Sequence, residues 1–213
     1  MLLPGDPGRA LALAQELLEA PRMFNHNRGL WGYSGKAPDG ELLTIQSTGM
    51  GGPSAAIVFE ELIALGVRRA VRVGTAGGLD PGLALGALVV ATEALAADGT
   101  SRTLGGGERI AGDPGLIDAL HAGAPQATLG PIVSSDLFYE VGTPRFARWR
   151  EAGAIAVEME TATLFALGRL RGVSVGCVLA ITDLLAESRE RIDEAALLKA
   201  GLAAGRAGIA ALG

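Results

Sequence analysis

Short apolar runs alternate along the chain with longer segments whose apolar residues recur at helical spacing. The runs are bounded by turn residues and predict β-strands over residues 42–46, 70–74, 87–92, 129–134, 154–159 and 176–182. The periodic segments predict helices over residues 7–18, 53–65, 114–122, 144–151, 160–170 and 189–212. Prolines stand near four of the predicted helix starts, where the missing N–H removes no helical hydrogen bond.

This alternation of strand and helix predicts one α/β domain over residues 1–213, with a mixed central β-sheet flanked by helices. In such folds, ligands bind where the carboxyl ends of strands meet helix N-termini. Residues 96–113 fit neither pattern, and we expect a surface excursion or a hairpin there. From residue 192 onward, apolar residues at helical spacing predict an amphipathic closing helix.

Composition narrows the class of protein. The chain has a net charge of -5, and its basic residues are scattered, which argues against a nucleic-acid partner. Its one cysteine, Cys177, lies in an apolar run, so we expect a core residue in a reducing cytoplasm and no internal disulfide. With two histidines and one thiol, no zinc site is expected. No secretory signal is visible, and residues 82–97, interrupted by Glu93, are too short for a membrane span.

Two arginines stand beside turns that can bind an anion. Gly5 lies at a predicted helix start, where free backbone N–H groups can meet an oxyanion, and Arg9 can add a guanidinium fork. A capped helix with a solvated arginine is the alternative. Arg72 lies inside an apolar strand, where its burial is costly unless the charge is paired. Because Thr75 adds a hydroxyl and an N–H at the following turn, the pattern predicts a phosphate site.

Two carboxylates flank Met159 at the end of an apolar strand. Alternation along a strand aims Glu158 and Glu160 to one face, where both could accept hydrogen bonds from vicinal sugar hydroxyls. The alternative is that one of them caps the following helix. Paired glycosidase carboxylates face each other across a sugar, so neighbours on one strand do not fit that chemistry.

A further acid, Asp183, follows the apolar run 176–181. Burial at that point would favour a protonated carboxyl, suited to give a proton to a leaving group. An ordinary helix or turn cap is the alternative. Arg189 or Arg191 could orient this acid.

Taken in order, these motifs resemble the nucleoside phosphorylase family, nearest to its bacterial high-molecular-mass purine branch. The resemblance covers most of the chain, weakens over residues 96–126, and rests on Pro4-Gly5-Asp6-Pro7 with Arg9, Asn27-Arg28-Gly29, Gly49-Met50-Gly51, Arg72-Val73-Gly74-Thr75, Ser134-Ser135-Asp136-Leu137-Phe138-Tyr139, Glu158-Met159-Glu160 and Thr182-Asp183.

The resemblance implies a pentosyltransferase of purine salvage. It would cleave the N-glycosidic bond of purine (deoxy)ribonucleosides with phosphate as co-substrate, without a cofactor or metal, in a cytoplasmic homohexamer. It implies that the phosphate is bound by Gly5, Arg9, Arg28, Arg72 and Thr75, with Arg28 reaching a neighbouring subunit's site. The nucleoside would contact Met50, Phe138, Val157, Glu158, Met159 and Glu160. Asp183 would protonate the purine ring, helped by Arg191.

Two departures from the family pattern and three alternatives stay open. Relatives have an N-terminal segment that presents a histidine to the adjacent ribose; here His26 is either its substitute or a surface residue. The loop from Asp183 to Arg191 is also shorter, which leaves Arg189 open as the helper.

A uridine phosphorylase would carry a glutamine and an arginine after the Phe-Tyr pair, and residues 140–145 contain no glutamine. A nucleosidase would use water and would not need the arginines. A nucleoside-binding protein without catalysis would not need Asp183. The preferred purine, the sugar and the oligomer's symmetry are undetermined.

Overall fold

The computed structural model of the protein describes residues 1–139, 144–185 and 190–213. The strands are β1 (Leu2–Leu3), β2 (Glu19–Asn25), β3 (Gly32–Lys36), β4 (Leu42–Gln46), β5 (Arg69–Gly78), β6 (Leu88–Ala97), β7 (Arg109–Ala111), β8 (Thr128–Ser135), β9 (Ala156–Glu158), β10 (Ser174–Leu184) and β11 (Glu190–Arg191). The α-helices are α1 (Pro7–Leu17), α2 (Gly52–Ala64), α3 (Gly99–Thr103), α4 (Pro114–Gly123), α5 (Arg145–Glu151), α6 (Thr161–Arg171) and α7 (Glu194–Ala210).

These strands form one mixed β-sheet that closes on itself. β5 pairs in parallel with β10, which pairs antiparallel with β6; β6 and β8 then run parallel, as do β8 and β9. β9 returns to β5, so five strands make a closed ring. An extension of the sheet leads from β5 through β1, β4 and β3 to β2 at the edge. The predicted mixed α/β fold is confirmed.

Helices cover both faces of this sheet. On one face, α7 packs against both α1 and α4 over a core cluster that includes Leu13, Val71 and Leu120. On the other face, α2, α3 and α6 pack over a cluster that includes Phe59 and Leu164. The described part of the chain contains no helix with the length and apolar character of a membrane span.

Four helices begin at an aspartate that accepts a backbone N–H three residues later: Asp6, Asp98, Asp113 and Asp193. Such caps satisfy donors that have no partner within the helix.

The cap at Asp193 corrects one prediction from the sequence. The C-terminal helix begins at Glu194, not at residue 189, and residues 190–191 instead form β11, which pairs with Asp183 and Leu184.

Three further predictions differ at least in part from the structure. Residues 96–113 hold the end of β6, the short helix α3 and β7, which returns antiparallel along β6. The hairpin alternative is therefore confirmed in part, with a helix at its tip. β9 covers three residues, not 154–159, so Met159 lies beyond the strand. Pro144 is the N-cap of α5 and not its first turn.

Candidate functional site

The central strand β5 changes partners along one edge, and the candidate site lies at that change. β1 pairs with β5 at Val71 and Arg72, whereas β9 joins it at Gly77 and Gly78. Between these pairings, residues 73–76 have no strand partner on that edge among the described residues. We call this interval the seam. A cavity of about 940 Å³ opens beside the seam, and Arg72, Thr75, Ala76 and Gly77 line it.

Every residue predicted to bind phosphate or nucleoside lines this cavity. They are Gly5, Arg9, Arg28, Met50, Arg72, Thr75, Phe138, Val157, Glu158, Met159 and Glu160, together with the predicted acid Asp183. The sequence segments that carry these residues are far apart in the chain, and the fold brings them together. The cavity has a charged end near Arg72 and an apolar end near Gly77.

At the charged end, two carboxylates hold one buried arginine. The Nε of Arg72 donates to Glu158 Oε2 at 2.8 Å, and its Nη2 pairs with Glu160 Oε2. Burial disfavours the charged guanidinium, but Glu160 and Glu158 outweigh it and raise the pKa of Arg72. The remaining nitrogen, Nη1, is buried and has no hydrogen-bond partner among the described residues. The guanidinium of Arg72 is therefore held in place at this end of the cavity, and one of its nitrogens is free to donate to a ligand.

Glycines make room for this arginine. A Cβ at Gly74 would lie 2.8 Å from Arg72 Nη2, so any other residue would displace the guanidinium. A Cβ at Gly5 would lie 3.2 Å from the carbonyl oxygen of Gly49 and 3.8 Å from Arg72 Nη1. The Gly5 N–H donates to no other described residue. Gly5 thus brings an open backbone donor close to the open guanidinium nitrogen, an arrangement that suits an oxyanion.

Arg9 adds a second cation to the same end. Its backbone N–H is used in the Asp6 cap, at 2.6 Å, but its guanidinium has no ion pair within the described ranges. Burial lowers the pKa of Arg9; Asp6 raises it, whereas the cation of Arg72 lowers it further. Two neighbouring cations that repel each other are stabilised by an anion between them.

Glu158 and Glu160 have different surroundings although both hold Arg72. The Glu158 carboxylate accepts from the Ser134 hydroxyl and from the backbone N–H groups of Glu160 and Thr161, at 2.9 and 3.0 Å. It therefore caps α6, and its lone pairs are directed at protein donors. The helix-cap alternative from the sequence applies to Glu158. Its predicted contact with nucleoside stays a prediction.

Glu160 also contacts the turn at residues 49–51, which lies beside the cavity. Its Oε1 accepts from the backbone N–H of Gly51. Burial raises the pKa of Glu160, Arg72 lowers it, and the nearby Glu158 raises it again. Gly49 and Gly51 have φ of 77° and 83°, which places the largely exposed Met50 between two left-handed residues beside this carboxylate. Glu160 and Met50 are thus placed together, as a shared contact with a sugar would require.

The apolar end is built around Gly77. Gly77 comes five positions after Arg72 on β5, which corresponds to about 16 Å of extended strand. Val157 on β9 and Asp183 on β10 are its partners in register on the two sides. A Cβ at Gly77 would lie 2.7 Å from Leu185 Cδ1, so the glycine lets Leu185 pack onto the strand.

Asp183 is the acid at this end, and it is buried with an arginine at its side. Thr182 Oγ1 donates to its Oδ2 at 3.0 Å, and Arg191 Nε donates to its Oδ1 at 2.9 Å. The pairing of β11 with β10 brings Arg191 there. Arg191 does not line the cavity and its side chain is 63% exposed, so it contacts the site through Asp183. The alternative helper, Arg189, lies outside the described residues.

The remaining predicted residues lie toward the cavity mouth. Arg28 is exposed, has φ 54° and lines the cavity of its own chain. A contact of Arg28 with a neighbouring subunit stays a prediction. Phe138 is about half exposed and packs edge-on to Tyr139, with ring centroids 5.0 Å apart. His26 is exposed and does not line this cavity.

Sequence reasoning missed two aromatic lining residues, Phe146 and Trp149, on α5. Their ring centroids lie 5.7 Å apart with planes at 41°. The available signal was their spacing of three on a helix otherwise rich in arginine, which gives the helix one apolar face. The same spacing is common in ordinary core packing, so it did not point to a ligand.

Comparisons with known proteins agree with this geometry. The family model of the phosphorylase superfamily matches residues 1–211. A "Purine nucleoside phosphorylase DeoD-type" of Exiguobacterium is 35% identical over 91% of this chain and 84% of its own length. A "Guanosine phosphorylase" of Halorubrum lacusprofundi is 36% identical over 89% of the chain and 80% of its length. A "Uridine phosphorylase" of Treponema pallidum is 36% identical over 85% and 76%. Because the family model covers nearly every residue, the chain belongs to the phosphorylase superfamily.

Proposed function

We propose that the protein is a purine nucleoside phosphorylase. It would cleave the N-glycosidic bond of a purine (deoxy)ribonucleoside with inorganic phosphate, giving the free base and (deoxy)ribose 1-phosphate. The relatives named as purine nucleoside and guanosine phosphorylases support this substrate class.

The observation that carries the proposal is the unpaired Nη1 of Arg72 beside the open N–H of Gly5. Arg9 stands close by without an ion pair to any described residue. A phosphate here would accept from all three groups. A nucleosidase that uses water would have no use for this cluster of cations.

In the proposed reaction, the nucleoside lies along the seam. Its ribose contacts Glu160 and Met50, and its base lies at the Gly77 end beside Asp183. As the C–N bond breaks, positive charge develops on the sugar, and the bound phosphate stabilises that charge. Asp183 gives its proton to the leaving purine, and a phosphate oxygen forms the new bond at the anomeric carbon. Holding both reactants beside one strand removes much of the entropic barrier.

The proposal extends to assembly and location. We propose a cytoplasmic homohexamer that needs no cofactor or metal, in which Arg28 of each subunit reaches the phosphate of its neighbour. Mixed oligomers of Arg28→Ala and Asp183→Ala chains should then recover activity that neither variant has alone. Verified mixed oligomers without recovered activity would place Arg28 in its own subunit's site or outside any site.

The decisive experiment follows base release from inosine, guanosine, adenosine and uridine, with and without phosphate. We expect release from purine nucleosides only when phosphate is present, together with formation of a sugar 1-phosphate. Equal rates without phosphate would make the protein a nucleosidase.

The Treponema relative supports a second candidate, a uridine phosphorylase. Residues 140–145 lack the glutamine that we expect for uracil recognition, which favours the purine assignment. Preferential cleavage of uridine in the same experiment would reverse that choice.

A further inference from the structure

The helix α5 packs differently from the other helices that carry an apolar face. Helices such as α4 and α6 bury that face completely, at residues such as Leu120 and Leu164. On α5, no described residue is fully buried, although Phe146 and Trp149 make an apolar face at a spacing of three. Both rings are half-buried and line the cavity.

Packing fixes where along the cavity these rings lie. Phe146, Trp149, Val157 and Leu185 all pack on one small core cluster, made of Leu79, Val133 and Ala154. Val157 is in register with Gly77, and Leu185 covers that glycine. The two rings therefore belong to the Gly77 end, with Asp183, and not to the end that holds Arg72.

We propose that Trp149, which lies beside Phe146, forms a wall against which the base stacks, and that it determines specificity for the larger purine ring system. This rests on the proposed function, because it assumes that the base occupies the Gly77 end beside Asp183. Stacking on an indole tolerates varied ring substituents, since every base presents a π-face. Selection by this wall depends on ring area and less on hydrogen bonding at the base edge.

Kinetics of Trp149 variants give the first test. Losing one base–aromatic contact weakens binding by about 10-fold or more. Trp149→Ala should therefore raise KM for inosine by about 10-fold while KM for phosphate changes less than about 2-fold. Trp149→Phe should restore most of the loss. Arg148→Ala, an exposed neighbour on the same helix, is the matched control and should behave as the unaltered protein.

Fluorescence gives a second test that needs no turnover. The chain has two tryptophans, and Trp31 packs on the opposite core cluster and does not line the cavity. In a Trp31→Phe variant, hypoxanthine should quench the remaining Trp149 saturably. In Trp149→Phe, the emission of Trp31 should not respond to hypoxanthine.

The outcomes separate this inference from the proposed function. Unaltered protein that cleaves purine nucleosides, with an unchanged KM for inosine in Trp149→Ala, would overturn the stacking wall alone. Equal rises in both KM values would also overturn it, because the residue would then act only through the fold. Unaltered protein that releases no base would overturn the proposed function, and the lack of quenching by hypoxanthine would then overturn the wall as well.

Discussion

The two ends of the cavity are built by opposite means. At the charged end, Arg72 is buried to 3% exposure and held by Glu158 and Glu160, and Glu158 in turn caps α6. At the apolar end, half-buried rings lie on a short helix, and the one acid, Asp183, is held by an exposed arginine. The charged end is pre-organised by a network in which each partner fixes the next. The apolar end is held by packing, which tolerates substitution. Changes at the first end should therefore affect folding and phosphate binding together. Changes at the second end should affect nucleoside binding or turnover and leave folding and phosphate binding largely unchanged.

The largest effect is expected at the apolar end, from Asp183→Asn. The amide keeps the shape and can still accept from Arg191, but its N–H protons are not acidic enough to be transferred to a leaving purine. Turnover of inosine should fall by about 10²–10⁴, the range for loss of a general acid, with little change in nucleoside binding. The measurement is kcat for inosine and for a 7-methylated purine nucleoside, whose base leaves without protonation. Equal losses on both substrates in a folded variant would mean that Asp183 positions the base.

Arg72→Ala should be the most damaging change to the fold. It leaves Glu158 and Glu160 buried without their cation, and breaking a buried ion pair costs about 3–5 kcal/mol of the free energy of unfolding. The phosphate KM should rise as well, because a charged donor is lost. Urea unfolding with and without phosphate measures both effects. A variant with unchanged stability would mean that the two carboxylates do not depend on Arg72.

Variants of the two glutamates test which of them stabilises the fold and which contacts the sugar. Glu158→Gln keeps the shape but weakens charged hydrogen bonds, so the free energy of unfolding should fall by about 1.5–3 kcal/mol. Its preference for inosine over 2′,3′-dideoxyinosine should not change. Glu160→Gln should erode that preference, because in the proposed reaction its carboxylate accepts hydrogen bonds from the sugar hydroxyls. The opposite pattern in kcat/KM would assign the sugar contact to Glu158.

A pH titration of stability tests burial beneath the charged end. Cys177 is in register with Arg72, and burial raises the pKa of its thiol to about 12, with opposing effects from Arg72 and Glu158. The unfolded thiol ionises near its ordinary value of 9.0, so between that pH and about 12 only the unfolded state releases the proton. Stability should fall as pH rises through this window, by about 1.4 kcal/mol per unit. Cys177→Ala should lack that slope in unfolding measured at successive pH values. Parallel curves would mean that the thiol ionises equally in both states.

The sequence predicts the elements that carry their own signal. β4 was predicted at its observed bounds, and α1 to within one residue, because an apolar run and an aspartate cap are local features. β2 was missed, since it is an edge strand with mostly exposed residues and an internal proline, and it forms only by pairing with β3. β11 was predicted as helix because its pairing depends on where β10 ends.

The residues of the site likewise divide into those that a local sequence signal identifies and those that it does not. Arg72 was identified because a charge inside an apolar strand needs a partner, although the sequence did not say that both glutamates supply it. Trp149 was missed because an aromatic at helical spacing reads equally well as core. Whether such an aromatic residue is a core residue or lines a cavity depends on how completely the rest of the fold covers its helix. That coverage is determined by the assembled sheet and not by the local sequence.

The closed ring of strands bears on how this protein diversifies. The charged end is joined to the ring through hydrogen-bonded strands and ion pairs, so selection on folding constrains the same residues that we propose to bind phosphate. α5 lies outside the ring and joins it by side-chain packing. Substitutions on α5 can accumulate at little risk to the fold. With base stacking on α5 as proposed, variants of this chain could change the base they accept while the ring and the charged end stay the same.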